Sequence, residues 1–151
     1  MKNLLIVYPG TGGTTDRLAE AAIRGARSIE EVDALVKLAR DAVADDVLNC
    51  GGLLLGTPEK FGYMAGLMKD FLERIFYACE GKVEGLPYAL FVSAGNDGSG
   101  AVTSVERIVT GLRLKQVHEP VIVKGAPDDA ALSRCEELGA TIAAGIAFGM
   151  F

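Results

Sequence analysis

Apolar positions along this chain switch repeatedly between an unbroken or two-residue period and a period near 3.6, and each switch marks a strand giving way to a helix. Leu4, Leu5, Ile6 and Val7 form a continuous apolar run closed by Pro9-Gly10, the signature of a strand buried on both faces. From Thr15 the period lengthens. Leu18, Ala22 and Ala26 share one face while Arg17, Glu20, Arg24 and Arg27 fall mostly outside it, which predicts a helix to about Ser28. Residues 31–49 carry a weaker signal, because Val32, Leu35, Val36 and Leu38 fit either period; we read a strand over 31–38 and then a short helix. Leu53-Leu54-Leu55 is a second buried strand, and the face Met64, Met68, Phe71, Leu72, Ile75 and Cys79 predicts the clearest helix of the chain. Pro87 precedes a strand over Tyr88–Val92, a polar loop from Ser93 to Gly100, and a helix with Val102, Val105, Val109 and Leu112 inward. Val121-Ile122-Val123 is the last strand. Asp128 to about Ile146 is the last helix, with Leu132, Cys135, Leu138 and Ile142 inward.

Strands alternating with helices imply right-handed crossovers and a parallel sheet covered on both faces. The expected fold is α/β, a three-layer α/β/α sandwich over residues 1–151 as a single domain, with a five-stranded parallel sheet in the order 2-1-3-4-5. A chain of 151 residues, half of them apolar and 23% charged, is long enough to bury about 70% of its unfolded surface. The net charge of −5 repels phosphodiester backbones and anionic lipid, so nucleic acid and membrane are not expected partners. No apolar run reaches membrane-spanning length, and Leu4–Val7 is too short for a signal-peptide core, so the expected location is cytoplasmic. Cys50, Cys79 and Cys135 lack the paired spacing of zinc ligands or a redox disulfide; we expect them reduced and buried.

In a doubly wound sheet, ligands bind beyond the carboxyl ends of the strands where the strand order reverses. The loops after strands 1, 3 and 4 are the unusual ones here, and those after strands 2 and 5 are bland. Pro9-Gly10-Thr11-Gly12-Gly13-Thr14-Thr15 offers backbone N–H groups and threonine hydroxyls at a helix start, which suits a phosphate. It contains no Lys or Arg, so it lacks the Walker lysine, and Thr15 stands where a dinucleotide fingerprint needs glycine. Gly56-Thr57-Pro58-Glu59-Lys60-Phe61-Gly62-Tyr63 brings proline and two aromatics, which suit a flat ring. A phosphate and a ring on one molecule make a mononucleotide, with FMN the leading candidate. Tyr8-Pro9 and Gly56-Thr57 occupy the strand ends where a phospho-acceptor receiver domain would carry acidic residues. His118, the single histidine, has no Cys or carboxylate cluster around it, which argues against a metal site or a Ser-His hydrolase.

The segment Gly56-Thr57-Pro58-Glu59-Lys60-Phe61-Gly62-Tyr63-Met64, followed by Met68-Lys69-Asp70-Phe71-Leu72-Glu73-Arg74, resembles the Gly-Thr-Pro-x-x-Phe-Gly-x-Met loop and helix of the flavodoxin-like family. The likeness is to its small NAD(P)H-dependent FMN reductases and quinone-reductase-like flavodoxins. That resemblance implies that Thr11, Gly12, Gly13, Thr14 and Thr15 bind the FMN phosphate. Pro58, Glu59, Lys60, Phe61, Gly62 and Tyr63 would wrap the isoalloxazine, and Ser93, Ala94, Gly95, Asn96, Asp97 and Gly98 would close its other side. The first loop departs from the family pattern, with Pro9 where a serine is usual and Gly13 where an asparagine is common, which removes one phosphate donor.

The activity so implied is an FMN-dependent oxidoreductase taking hydride from NADPH or NADH and passing electrons to a quinone, a free flavin or another small acceptor. No catalytic side chain is assigned, since the chemistry belongs to the cofactor. Lys60 is a candidate for favouring the reduced flavin's negative charge; Glu59 is expected to contribute mainly its backbone N–H. Subunits of this class often pair, and Leu138 to Phe151 is the expected surface for a homodimer. Two rival readings stand beside this one: an FMN-binding electron carrier docking on a redox partner protein, and a flavin-free interaction module of the same fold.

Overall fold

The computed structural model describes residues 2–151. Its elements in chain order are β1 (Lys2–Tyr8), α1 (Thr14–Arg27), β2 (Val32–Leu38), α2 (Ala44–Leu48), β3 (Gly52–Lys60), β4 (Tyr63–Met64), α3 (Gly66–Cys79), β5 (Pro87–Ala94), α4 (Ser99–Gly111), β6 (Lys115–Gln116), β7 (Val121–Lys124) and α5 (Asp129–Ala147). The sheet runs β2-β1-β3-β5, with β6 and β7 each pairing in parallel with a different part of β5. These two segments together fill the place of the expected fifth strand, and the predicted order 2-1-3-4-5 is otherwise reproduced. The additional strand β4 is antiparallel to β3 and forms a hairpin with it.

Leu4 to Val7, Leu54 and Leu55 are fully buried, because successive side chains of these central strands enter opposite layers. Leu5, Val7, Leu53, Leu55, Leu90 and Val92 pack against Met68, Phe71, Leu72 and Ile75 of α3 and Val105 and Val109 of α4. Leu4, Ile6, Leu54 and Phe91 face the other way, onto Leu18 and Ala22 of α1 and Cys135, Leu138 and Ile142 of α5. α1 and α5 approach closely through Gly139, where an added Cβ would lie 1.9 Å from the Ala22 carbonyl oxygen.

The weak signal over 31–49 has a structural reason. β2 is an edge strand with Asp33 and Leu35 exposed, so its apolar alternation is incomplete. Two expectations need correction. Leu138 and Ile142 are wholly buried against the sheet, leaving Phe148, Met150 and Phe151 as the large exposed apolar side chains of the C-terminal segment proposed for pairing. Cys50 is only partly buried, although all three thiols are free; burial pushes Cys50 and Cys135 up to about 11, which keeps them protonated and poorly nucleophilic. No helix among the described residues is long and apolar enough to cross a membrane.

Candidate functional site

The turn between β1 and α1 is made of backbone. Gly12 and Gly13 hold φ of +92° and +79°, and a Cβ at either would meet nothing within 4 Å, so the loop is bare on its outer surface. Gly13 is the N-cap of α1 and supplies no side chain to the first-turn amides, which therefore remain available at the positive end of the helix. Thr11 is exposed and Thr14 half-buried beside them. Thr15 plays another part: it is buried, and its hydroxyl shares a 2.5 Å hydrogen bond with that of Ser93. This contact ties the start of α1 to the carboxyl end of β5.

The facing wall is made of braced side chains. Residues 56–60 continue β3 rather than forming a loop, and Thr57 and Pro58 stay in register with Val92 and Ser93. Phe61 and Gly62 form the two-residue tip of the hairpin, with φ of +54° and +69°, as a type I′ turn demands. Fully buried Thr57 donates its hydroxyl to the Pro58 carbonyl (2.9 Å) and accepts from the Ala65 N–H (2.9 Å). Ser104 accepts from the Met64 N–H at 3.0 Å. The Glu59 carboxylate accepts from the Gly100 and Ala101 amides at 3.1 and 3.4 Å, capping α4 from the hairpin, so its side chain and not only its N–H has a defined task. Gly100 lies so close to the tip that an added Cβ would stand 2.0 Å from the Gly62 carbonyl oxygen.

The third segment, after β5, leaves the cleft lining past Gly95. Asp97 accepts from the N–H and hydroxyl of Ser99 at 3.0 and 2.9 Å, and these bonds hold its carboxyl below the usual range. Its side chain organises the loop locally, as Asp does at turns.

Thr11, Gly12, Gly13, Thr14, Thr15, Pro58, Glu59, Lys60, Ser93, Ala94 and Gly95 all line one open cleft of about 340 Å³ at the carboxyl ends of β1, β3 and β5. That is within the range of small-molecule sites. Six predicted residues lie outside its lining. The Phe61 ring projects into solvent from the hairpin tip; Gly62 and Tyr63 line a neighbouring groove with Ser99, Thr103 and Arg107; Asn96, Asp97 and Gly98 form the outer turn. Gly125, in the loop after β7 that looked bland, completes the lining. Its N–H donates to the Ala94 carbonyl at 2.8 Å, and the only sequence cue was a glycine directly after an apolar strand. Exposed His118 is not part of this lining, and its Nδ1 lies beside the Glu119 carbonyl. No group of three or more metal-ligating side chains is assembled among the described residues.

A parallel sheet with this strand order, and one cleft made by the ends of β1, β3 and β5, defines the flavodoxin-like class of α/β protein. An archaeal flavodoxin has the same fold, with a TM-score of 0.81 at 24% identity over 95% of this chain and 98% of its own. Residues 5–127 match the NADPH-dependent FMN reductase family. The chain belongs to that family of flavodoxin-like, FMN-binding oxidoreductases. It is similar to a flavodoxin of Aquifex aeolicus (27% identical, 97% of this chain and 88% of that protein). It is also similar to an NAD(P)H dehydrogenase (quinone) of Acidithiobacillus ferrooxidans (29% identical, 84% and 72%).

Proposed function

We propose that this protein binds FMN in the cleft between residues 11–15, 58–60 and 93–95 and oxidises NADPH or NADH in favour of a quinone, a flavin or another small acceptor. The observation that carries the reading is the convergence of a bare, uncapped helix start with two facing walls in one open cleft. The donor chemistry fits the cofactor. A phosphate monoester needs several N–H and hydroxyl donors, and Gly13, Thr14, Thr15 and the Thr11 and Thr14 hydroxyls supply neutral ones at a helix N-terminus. Pro58 and the backbone of Glu59 and Lys60 on one side, with Ala94 and Gly95 on the other, are the candidate walls for the ring.

FMN, when bound, supplies acceptance of a hydride and release of electrons singly or in pairs. The chain's own contribution is positional. Thr57 and Glu59 fix the β3–β4 wall to α3 and α4, the Thr15–Ser93 bond fixes the cradle to β5, and exposed Lys60 places its positive charge on the cleft rim. That charge favours an anionic ligand without occupying the cavity. The similarity to the quinone dehydrogenase over most of both chains supports the reductase reading; the similarity to a flavodoxin over nearly the whole chain supports a carrier.

The test is a titration of the purified protein with FMN followed by fluorescence, then NADPH oxidation by the FMN-loaded protein with and without an added quinone. Quenching with quinone-dependent turnover is expected. Quenching without turnover leaves the carrier, and absence of quenching at micromolar FMN overturns both.

A further inference from the structure

A carboxylate that is not itself part of the cleft lining bonds to the cradle after β1. Asp16 lies in the first turn of α1, and its Oδ2 accepts from the Gly12 N–H at 3.1 Å. One amide of the glycine loop is thereby engaged by the protein itself. The other oxygen, Oδ1, is buried and has no hydrogen-bond partner among the described residues. No Lys or Arg stands within ion-pair distance of either oxygen. The nearby Tyr8 phenol is raised by burial and then by the charges of Asp16 and Glu20. A carboxylate in the first turn stabilises α1, which accounts for its presence in the free protein. Toward a ligand its effect reverses, because a phosphate monoester carries about −1.5 to −2 charges at neutral pH.

We infer that Asp16 is a specificity-determining residue acting against the phosphate: it withholds the Gly12 amide and opposes the ligand's charge, so that the site discriminates less between FMN and riboflavin than its neutral donors would allow. The inference rests on the FMN reading above and deepens it. The remaining donors of the cradle still hold the phosphate, but below their full strength while the Asp16 charge stands beside them. Asn keeps the side-chain acceptor and removes the charge; Ser removes the charge and releases the Gly12 N–H.

Wild type, Asp16→Asn and Asp16→Ser are titrated with FMN and with riboflavin, and the ratio of the two dissociation constants is taken within each protein, so that altered folding of a variant does not decide the outcome. Wild type is expected to favour FMN over riboflavin by a smaller factor than Asp16→Asn does. Asp16→Asn is expected to tighten FMN on the order of tenfold, the effect of removing one charge near a dianion at intermediate dielectric, with riboflavin unchanged. A ratio that stays constant, or moves toward riboflavin, in both variants overturns the role of Asp16 while leaving flavin binding intact. If wild type and both variants bind neither flavin, the FMN reading fails and this inference with it.

Discussion

The two walls of the cleft are built on opposite principles. The β1–α1 turn is held by few contacts, its glycines carry no side chains, and its helix start is uncapped. The β3–β4 hairpin is over-determined, with Thr57 tying it to the start of α3 and Glu59 and Ser104 both tying it to α4. A surface meant to receive hydrogen bonds from a ligand must leave donors unspent, and that costs stability in the free protein. A surface meant to set distance and orientation must spend them internally. The difference implies that substitutions in the first wall act on affinity and those in the second on stability.

The largest expected effect belongs to the first wall. Thr14→Ala removes a hydroxyl from the phosphate end and is expected to weaken FMN by about 1.5–3 kcal/mol, or about 10- to 150-fold, with the thermal midpoint unchanged. Unaltered FMN affinity would place the phosphate elsewhere. Thr57→Val makes the converse change. It keeps the shape but strands the buried Ala65 N–H, and is expected to cost about 1–3 kcal/mol of unfolding free energy by urea titration. A variant as stable as the parent but defective in flavin binding would erase the distinction between the walls.

The same division explains what was legible in the sequence. β1, β5 and the inward faces of α1, α3 and α5 follow from apolar period alone, because burial in two layers dictates it. The extension of β3 through Gly56-Thr57-Pro58 was not legible. Glycine and proline argue against a strand, yet β1 pairs with β3 only as far as Leu55, so Pro58 sits where one side of the strand has no partner to lose. The cradle could be read from residue types because its function is local. The roles of Glu59 and Ser93 could not, since Glu59 reaches α4 across 41 positions and Thr15 meets Ser93 across 78. Gly125 was invisible for the same reason.

The brace from Glu59 tests the second wall at lower amplitude. Glu59→Ala frees the Gly100 and Ala101 amides to water and is expected to cost about 1 kcal/mol, the usual worth of a cap, with faster amide exchange confined to the start of α4. Exchange that stays protected there would mean that the close contact of Gly100 with the hairpin tip suffices without the carboxylate.

The smallest effect has the opposite sign. Phe61 is held at φ +54° with its ring fully exposed, a left-handed conformation that an L side chain with a β-carbon disfavours and asparagine tolerates. Nothing packs on the ring to offset that strain. Phe61→Asn produces the Asn-Gly pair preferred in a type I′ turn and is expected to raise stability by about 0.5 kcal/mol, seen as a small upward shift in the thermal midpoint. If NADPH oxidation falls while FMN affinity holds, the strained aromatic is retained for contact with what approaches the bound flavin. If both are unchanged and stability rises, the over-determined wall carries a residue that its own geometry does not need.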